Sequence, residues 1–182
     1  MLDAFKTLVT KQYEAALSML KASVNSCPDA VWNSRGANYK YCQLVFHTLI
    51  FTDLYLGPDV ESLRRQPFHL RNERIFGDYE EFEDRPLVRL YDKAFILAYL
   101  EHCRRKVSEV IEGEAADTLS ALSGTRKALS RAELHIYNIR HIQHHAGQLS
   151  LRLRLETGEG VEWVGSGWRE AAIGRGSRYG TP

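Results

Sequence analysis

The stretch His141-Ile142-Gln143-His144-His145-Ala146-Gly147-Gln148-Leu149 lies inside a segment that reads as one helix, from Ser130 to about Glu156. Ser130-Arg131-Ala132-Glu133 has the form of a capping box, and Gly158 stands at the far end as a stop. Between them Ile139, Ile142, Ala146, Leu149 and Leu153 recur at spacings of three and four, an apolar stripe for a core. Beside it runs a polar stripe of Asn138, His141, His145 and Gln148, centred roughly 90° away at about 100° per residue. This helix therefore buries one face and carries two histidines, one turn apart, at the margin of that face.

Three more segments show the same period. Asp3 to Val24 places Phe5, Leu8, Val9, Ala16, Leu17 and Leu20 on one face, with Asp3 as N-cap. Tyr39 to Leu56 is capped by Asn38 and stopped by Gly57-Pro58, with an inward face of Leu44, His47, Ile50 or Phe51, and Leu54. Asp92 to Glu112 ends before Gly113 and buries Phe95, Leu97, Ala98, Leu100, Val107, Val110 and Ile111. Cys27 to Ala37 reads as a loop in which Trp32 packs against helix ends. A longer connection, about Gly57 to Leu90, holds three prolines and the aromatics Phe68, Phe76, Tyr79 and Phe82. Loops of that length are usually functional or mobile, and this one reads equally as a cover over an open end of the bundle or as a surface loop pinned by its aromatics. The last 26 residues hold seven of the thirteen glycines, which argues against a fifth helix. Within them, Val161 to Trp168 reads as an extended segment or small hairpin, and Gly174 to Pro182 as a frayed tail. The expected fold is all-α: a four-helix bundle over residues 1–156, with a long connection between helices 2 and 3, and an irregular Gly-rich extension over 157–182.

Bulk properties exclude several classes. The 182 residues suffice for one domain with a core, and 44% hydrophobic with 26% charged is ordinary for a globular chain. A net charge of +1 gives no global attraction to nucleic acid or anionic lipid. Met1-Leu2-Asp3-Ala4-Phe5 lacks the basic start and apolar run of a secretory leader. The longest apolar run, Ala94 to Leu100, is far short of a membrane span of about 20 residues. Cys27, Cys42 and Cys103 are odd in number and widely separated, as expected of buried small hydrophobes in a reducing, cytoplasmic compartment.

The i, i+4 spacing of His141 and His145 lets one helix give two nitrogens to one metal ion. A lone histidine at a core margin is ordinarily just hydrogen-bonded, so the pair alone does not establish a site. His47 adds the third element, because it takes a core-facing position on another helix and a buried imidazole needs a partner. Three neutral imidazoles with an open position suit Zn²⁺, Ni²⁺ or a similar divalent ion, and imply chemistry or ligand binding. The pair is H-x-x-x-H rather than H-E-x-x-H, since Ile142 stands where a zincin has its glutamate base, so a peptidase of that type is excluded. No serine nucleophile elbow, phosphate loop or paired-carboxylate motif competes. No acid lies at an obvious spacing to act as base. Tyr137 is a candidate proton donor or a packing residue, while Gln148 and Asn138 are candidates to orient the ligands. Gly147 reads as a site of close helix approach. His144 projects away, and His69, His102 and His135 are expected at the surface rather than as ligands.

His47 within Gln43-Leu44-Val45-Phe46-His47-Thr48-Leu49, together with the His141 to Leu149 block, resembles the DinB/YfiT-like superfamily of metal-dependent bundle proteins. The resemblance covers roughly residues 1–156. Its late H-x-x-H-H-x-G-Q block is fairly specific and its early helices are generic. It implies a homodimeric four-helix bundle holding zinc or nickel through His47, His141 and His145. Some relatives are transferases or isomerases acting with a low-molecular-weight thiol, and many have no assigned activity. The expected function is a metal-dependent enzyme on a small-molecule substrate, activating a bound thiol or water in the manner of a thiol S-transferase or a hydrolase. The alternative is a non-catalytic, homodimeric bundle that binds metal or a small ligand. Neither nucleic acid nor membrane is an expected partner.

Overall fold

Apolar residues at three and four impose a helix wherever they persist, and the computed structural model, which describes residues 1–36, 38–170 and 173–174, follows that rule. Helix α1 spans Leu2–Ser26. A short α2 (Asp29–Trp32) and a two-residue antiparallel pair, β1 (Arg35–Gly36) and β2 (Tyr39–Lys40), lead into α3 (Tyr41–Leu56). The long connection contains α4 (Val60–Arg65), α5 (Pro67–Arg71), α6 (Glu73–Phe76) and a 3₁₀ turn at Glu80–Phe82. Then come α7 (Lys93–Gly113), α8 (Ala116–Ser120) and α9 (Arg131–Thr157). Beyond Gly158 the described residues form no helix. There β3 (Gly160–Val161) pairs antiparallel with β4 (Ile173–Gly174), and the expected tail lies outside the described residues from 175 onward. No helix is long and apolar enough to cross a membrane among the described residues.

The long helices α1, α3, α7 and α9 make the main packing contacts, with α1 and α3 each packed against both α7 and α9. Val9, Tyr13, Leu17, Leu20 and Val24 of α1 meet Ile96, Leu100, Cys103, Val107 and Ile111 of α7 and Leu134, Ile142, Ala146, Leu149 and Leu153 of α9 in one apolar core. All three cysteines are buried and free. Helix α3 differs from the others because it is buried almost all round. Fourteen of its sixteen residues are buried, and the two exceptions are His47 and Phe51. The expected cap at Asn38 is replaced by Lys40, whose backbone N–H donates to Gln43 Oε1 at 3.0 Å because the β1–β2 hairpin delays the helix start.

Two arginines of α9 fix its position on α3. At one end, Arg131 donates to the carbonyls of Tyr55 and Leu56, both at 2.8 Å, satisfying acceptors that the end of α3 leaves open. At the other, Arg152 Nη2 donates to the Ser34 carbonyl at 2.9 Å and its Nη1 to that of Tyr39. The helices therefore run antiparallel, and counting inward from both grips sets His47 against the turn of α9 around His141. Capping keeps that count exact at the start of α9, where Ser130 and Glu133 bond reciprocally, and Gly158 ends the helix at φ +82°.

The long connection is a fastened strap rather than an irregular loop. Asp53 of α3 is fully buried beneath it. The Asp53 carboxylate accepts from Gln66 (2.9 Å) and His69 (2.9 Å) of the strap, from Tyr99 (3.0 Å) of α7, and from Lys106. Burial alone would raise the Asp53 pKa, but bonds from His102 and His69 and the Lys106 charge hold it well below the carboxylate range. His69 is itself buried, which corrects the surface placement expected for it, as does the full burial of His135 against Tyr13 and Glu114. Desolvation lowers the His69 pKa, so its neutral ring gives Nε2–H to Asp53 and accepts at Nδ1 from the Tyr79 hydroxyl at 2.7 Å. The Asp53→Asn substitution leaves Lys106 without its counter-charge. It is expected to cost about 3 kcal/mol in urea unfolding, and an unchanged midpoint would refute this role of the carboxylate.

Candidate metal centre

His47 is one of the two α3 residues that are not fully buried, and the register of α3 on α9 brings His141 and His145 to it. One ring nitrogen from each of the three lies within 4.8 Å of the other two. Three points so placed share a centre about 2.8 Å or less from each, so shifts of about 0.7 Å would bring all three to the 2.0–2.1 Å of a zinc–imidazole bond. Ring centroids are 5.6 Å apart for His47 and His141, 5.0 Å for His47 and His145, and 4.6 Å for His141 and His145.

Outer partners orient two of the rings. His47 Nδ1 lies 2.9 Å from Glu81 Oε2 in the 3₁₀ turn of the strap. His145 Nδ1 donates to Gln148 Oε1 at 2.8 Å. Both bonds leave Nε2 of the neutral ring as the lone pair. His141 Nδ1 is buried and has no hydrogen-bond partner among the described residues. Buried ring nitrogens are ordinarily satisfied, so an unmatched one within a histidine cluster fits a cation. Burial first, and then the neighbouring histidines, lower the pKa of His141 to about 3. Burial lowers that of His145 to about 4, against the bond to Gln148. Both rings are thus neutral at pH 7, the state in which an imidazole can ligate a metal.

An aromatic wall surrounds the cluster. Phe51 lies 4.8 Å from the His47 ring, Tyr39 5.3 Å from it, and Tyr55 6.0 Å from that of His141. A cleft of about 420 Å³, lined largely by apolar surface from Tyr39, Leu44 and Leu151, opens at His145. A second, of about 470 Å³, opens at His141 between Tyr137, Arg140 and His144.

The three histidines singled out in the sequence are thus brought together, and Gln148 serves as an orienting partner. His144 is exposed, with its ring 5.0 Å from that of His145. Tyr137 packs edge-on against Tyr55 and under the Arg126 guanidinium. Asn138 is buried and donates to the Thr52 carbonyl. The reading of Gly147 as a close-approach site is overturned: a Cβ there would meet nothing within 4 Å. Glu81 was not singled out, because it lies 34 residues from His47 in a segment without periodicity. The available signal was an acidic pair, Glu80-Glu81, bracketed by Tyr79 and Phe82 in an otherwise polar connection. No family model, curated protein or solved structure matches the chain.

Histidines held neutral in the folded state, His69 among them, make metal-free stability depend on pH. His135, also lowered to about 4 by burial, joins His141 and His145. The unfolded chain binds protons near pH 6.5, where the folded chain binds none at these rings. Stability is therefore complete above about pH 6.5 and falls as pH drops toward 4, by roughly 1 kcal/mol per pH unit for each ring. Urea unfolding in chelator between pH 7 and 5 should show this slope, made shallower in His141→Gln; a flat profile would contradict it.

Proposed function

We propose that His47, His141 and His145 hold a divalent ion, zinc or nickel, within a four-helix bundle of the DinB/YfiT-like kind. On this reading the protein is a metal-dependent enzyme that activates a thiol or water toward a small-molecule electrophile, as a thiol S-transferase or hydrolase does. The observation that carries the reading is the convergence of three imidazole nitrogens within 4.8 Å, from two helices locked in register. An ion bound by three neutral ligands lowers the pKa of a coordinated thiol or water and supplies a nucleophile near neutral pH.

The chain's own residues account for the remaining requirements. His141 and His145 keep their lone pairs because burial holds them unprotonated. Glu81 and Gln148 set which nitrogen of His47 and His145 faces inward. Phe51, Tyr39 and Tyr55 limit water around the cluster and strengthen electrostatic interactions there. The apolar cleft at His145 suits the carbon skeleton of an electrophile.

Untagged protein is expected to carry close to one zinc or nickel ion per chain by elemental analysis, falling to near none in His47→Ala and His141→Ala. Absence of metal from wild type, even after incubation with either ion, contradicts the site. Metal-loaded protein is then screened with epoxides and chloro-aromatics plus cellular thiols, and with esters alone. Metal-dependent turnover supports the enzymatic reading, and uniform inactivity favours a binding protein.

A further inference from the structure

The Glu81 side chain is only 4% exposed, although it belongs to a connection rather than to the core. A buried carboxylate is costly unless it is partnered. Its Oε2 bonds to His47 Nδ1, and its Oε1 has no partner among the described residues. A free surface loop would turn such a group to water, so something holds it in place.

The strap supplies that hold. Tyr79 has φ +41°, the one non-glycine residue with positive φ among those described. Left-handed backbone at a bulky side chain is strained and persists only where its surroundings fix it. The Tyr79 hydroxyl is tied to His69, which is tied to the buried Asp53 carboxylate. On the other side, Glu80 accepts from the Arg89 backbone N–H at 3.0 Å, and Phe82 meets Phe51 edge-on at 5.6 Å, beside His47. Glu81 sits between these three fastenings.

We infer that Glu81 is a positioning residue of the histidine centre, fixing the tautomer and orientation of His47, and that the Asp53–His69–Tyr79 chain keeps it there. The metal half of this inference rests on the proposed metal site; the tautomer half does not. A carboxylate accepting from Nδ1–H leaves Nε2 as the lone pair and raises its basicity, as outer carboxylates do for ligand histidines. Asp53 shares α3 with His47, but its carboxylate bonds to Gln66, His69, Tyr99 and Lys106 rather than to the three ligands, so it acts through the strap.

The test compares wild type with Glu81→Ala, Glu81→Gln and Tyr79→Phe, each checked for cooperative thermal unfolding. Zinc affinity is measured by chelator competition, and the His47 ring nitrogen shifts are read by NMR on metal-free protein. Glu81→Ala is expected to weaken zinc binding by about 10- to 100-fold. Glu81→Gln keeps an acceptor and should lose less, and Tyr79→Phe should move in the same direction by a smaller factor. Metal-free wild type should show His47 in the Nδ1–H form, with that preference lost in Glu81→Ala. Zinc binding and tautomer both unchanged in Glu81→Ala would overturn the role of Glu81, and an effect there without any in Tyr79→Phe would overturn that of the strap. A wild type that binds no zinc, yet shows the Glu81-dependent tautomer, would refute the metal site and leave the positioning intact.

Discussion

From the two ends of α9, Arg131 grips the C-terminal end of α3 and Arg152 the segment that leads into it, and the site depends on that hold. Successive residues of a helix are about 100° apart, so a one-residue slip would turn His47 away from His141 and His145. Because α3 is buried almost all round, apolar burial alone would tolerate other rotations of that helix. Guanidinium groups bonded to the Tyr55 and Leu56 carbonyls at one end, and to that of Ser34 at the other, do not. The near-complete burial of α3 does the rest, leaving His47 and Phe51 as its only opening.

A second constraint is the placement of charge inside the fold. Asp53 joins α3, α7 and the strap through Lys106, Tyr99, Gln66 and His69. Glu114, just past α7, accepts from Arg131 at 2.7 Å and contacts His135, so the residue that caps α3 is itself held by an ion pair. Buried charges satisfied in this way contribute less to net stability than to the selection of one arrangement. Here both networks bear on the same outcome, one setting the α3–α9 register and the other fixing the strap against α3.

The four long helices were legible because an apolar face over twenty residues leaves a period, and the boundaries at Ser130, Gly158 and Asp92 were legible because caps are local chemistry. His47, His141 and His145 could be singled out for the same reason: spacing places two on one helix face, and the period of α3 places the third. The strap could not be read this way. Its helices have four to six residues, too short to show a period, and its anchors are contacts between residues distant in sequence. His69 and His135 looked like surface residues because nothing local marks a histidine that will meet a buried aspartate or glutamate. Gly147 was misread because glycine within a helix signals close approach only when another helix is there. Glu81 is the costliest omission, since the strap that brings it to His47 is itself a product of the tertiary fold.

The central claim is that the histidine cluster is a coordination site rather than a set of hydrogen-bonded rings. X-ray absorption at the metal edge of zinc-loaded protein tests it most directly. Three imidazole nitrogens are expected at about 2.0–2.1 Å, with the outer-ring scattering of histidine, and one or more lighter donors completing the shell. A shell of oxygen donors alone, or a spectrum unchanged in His47→Ala, would contradict it.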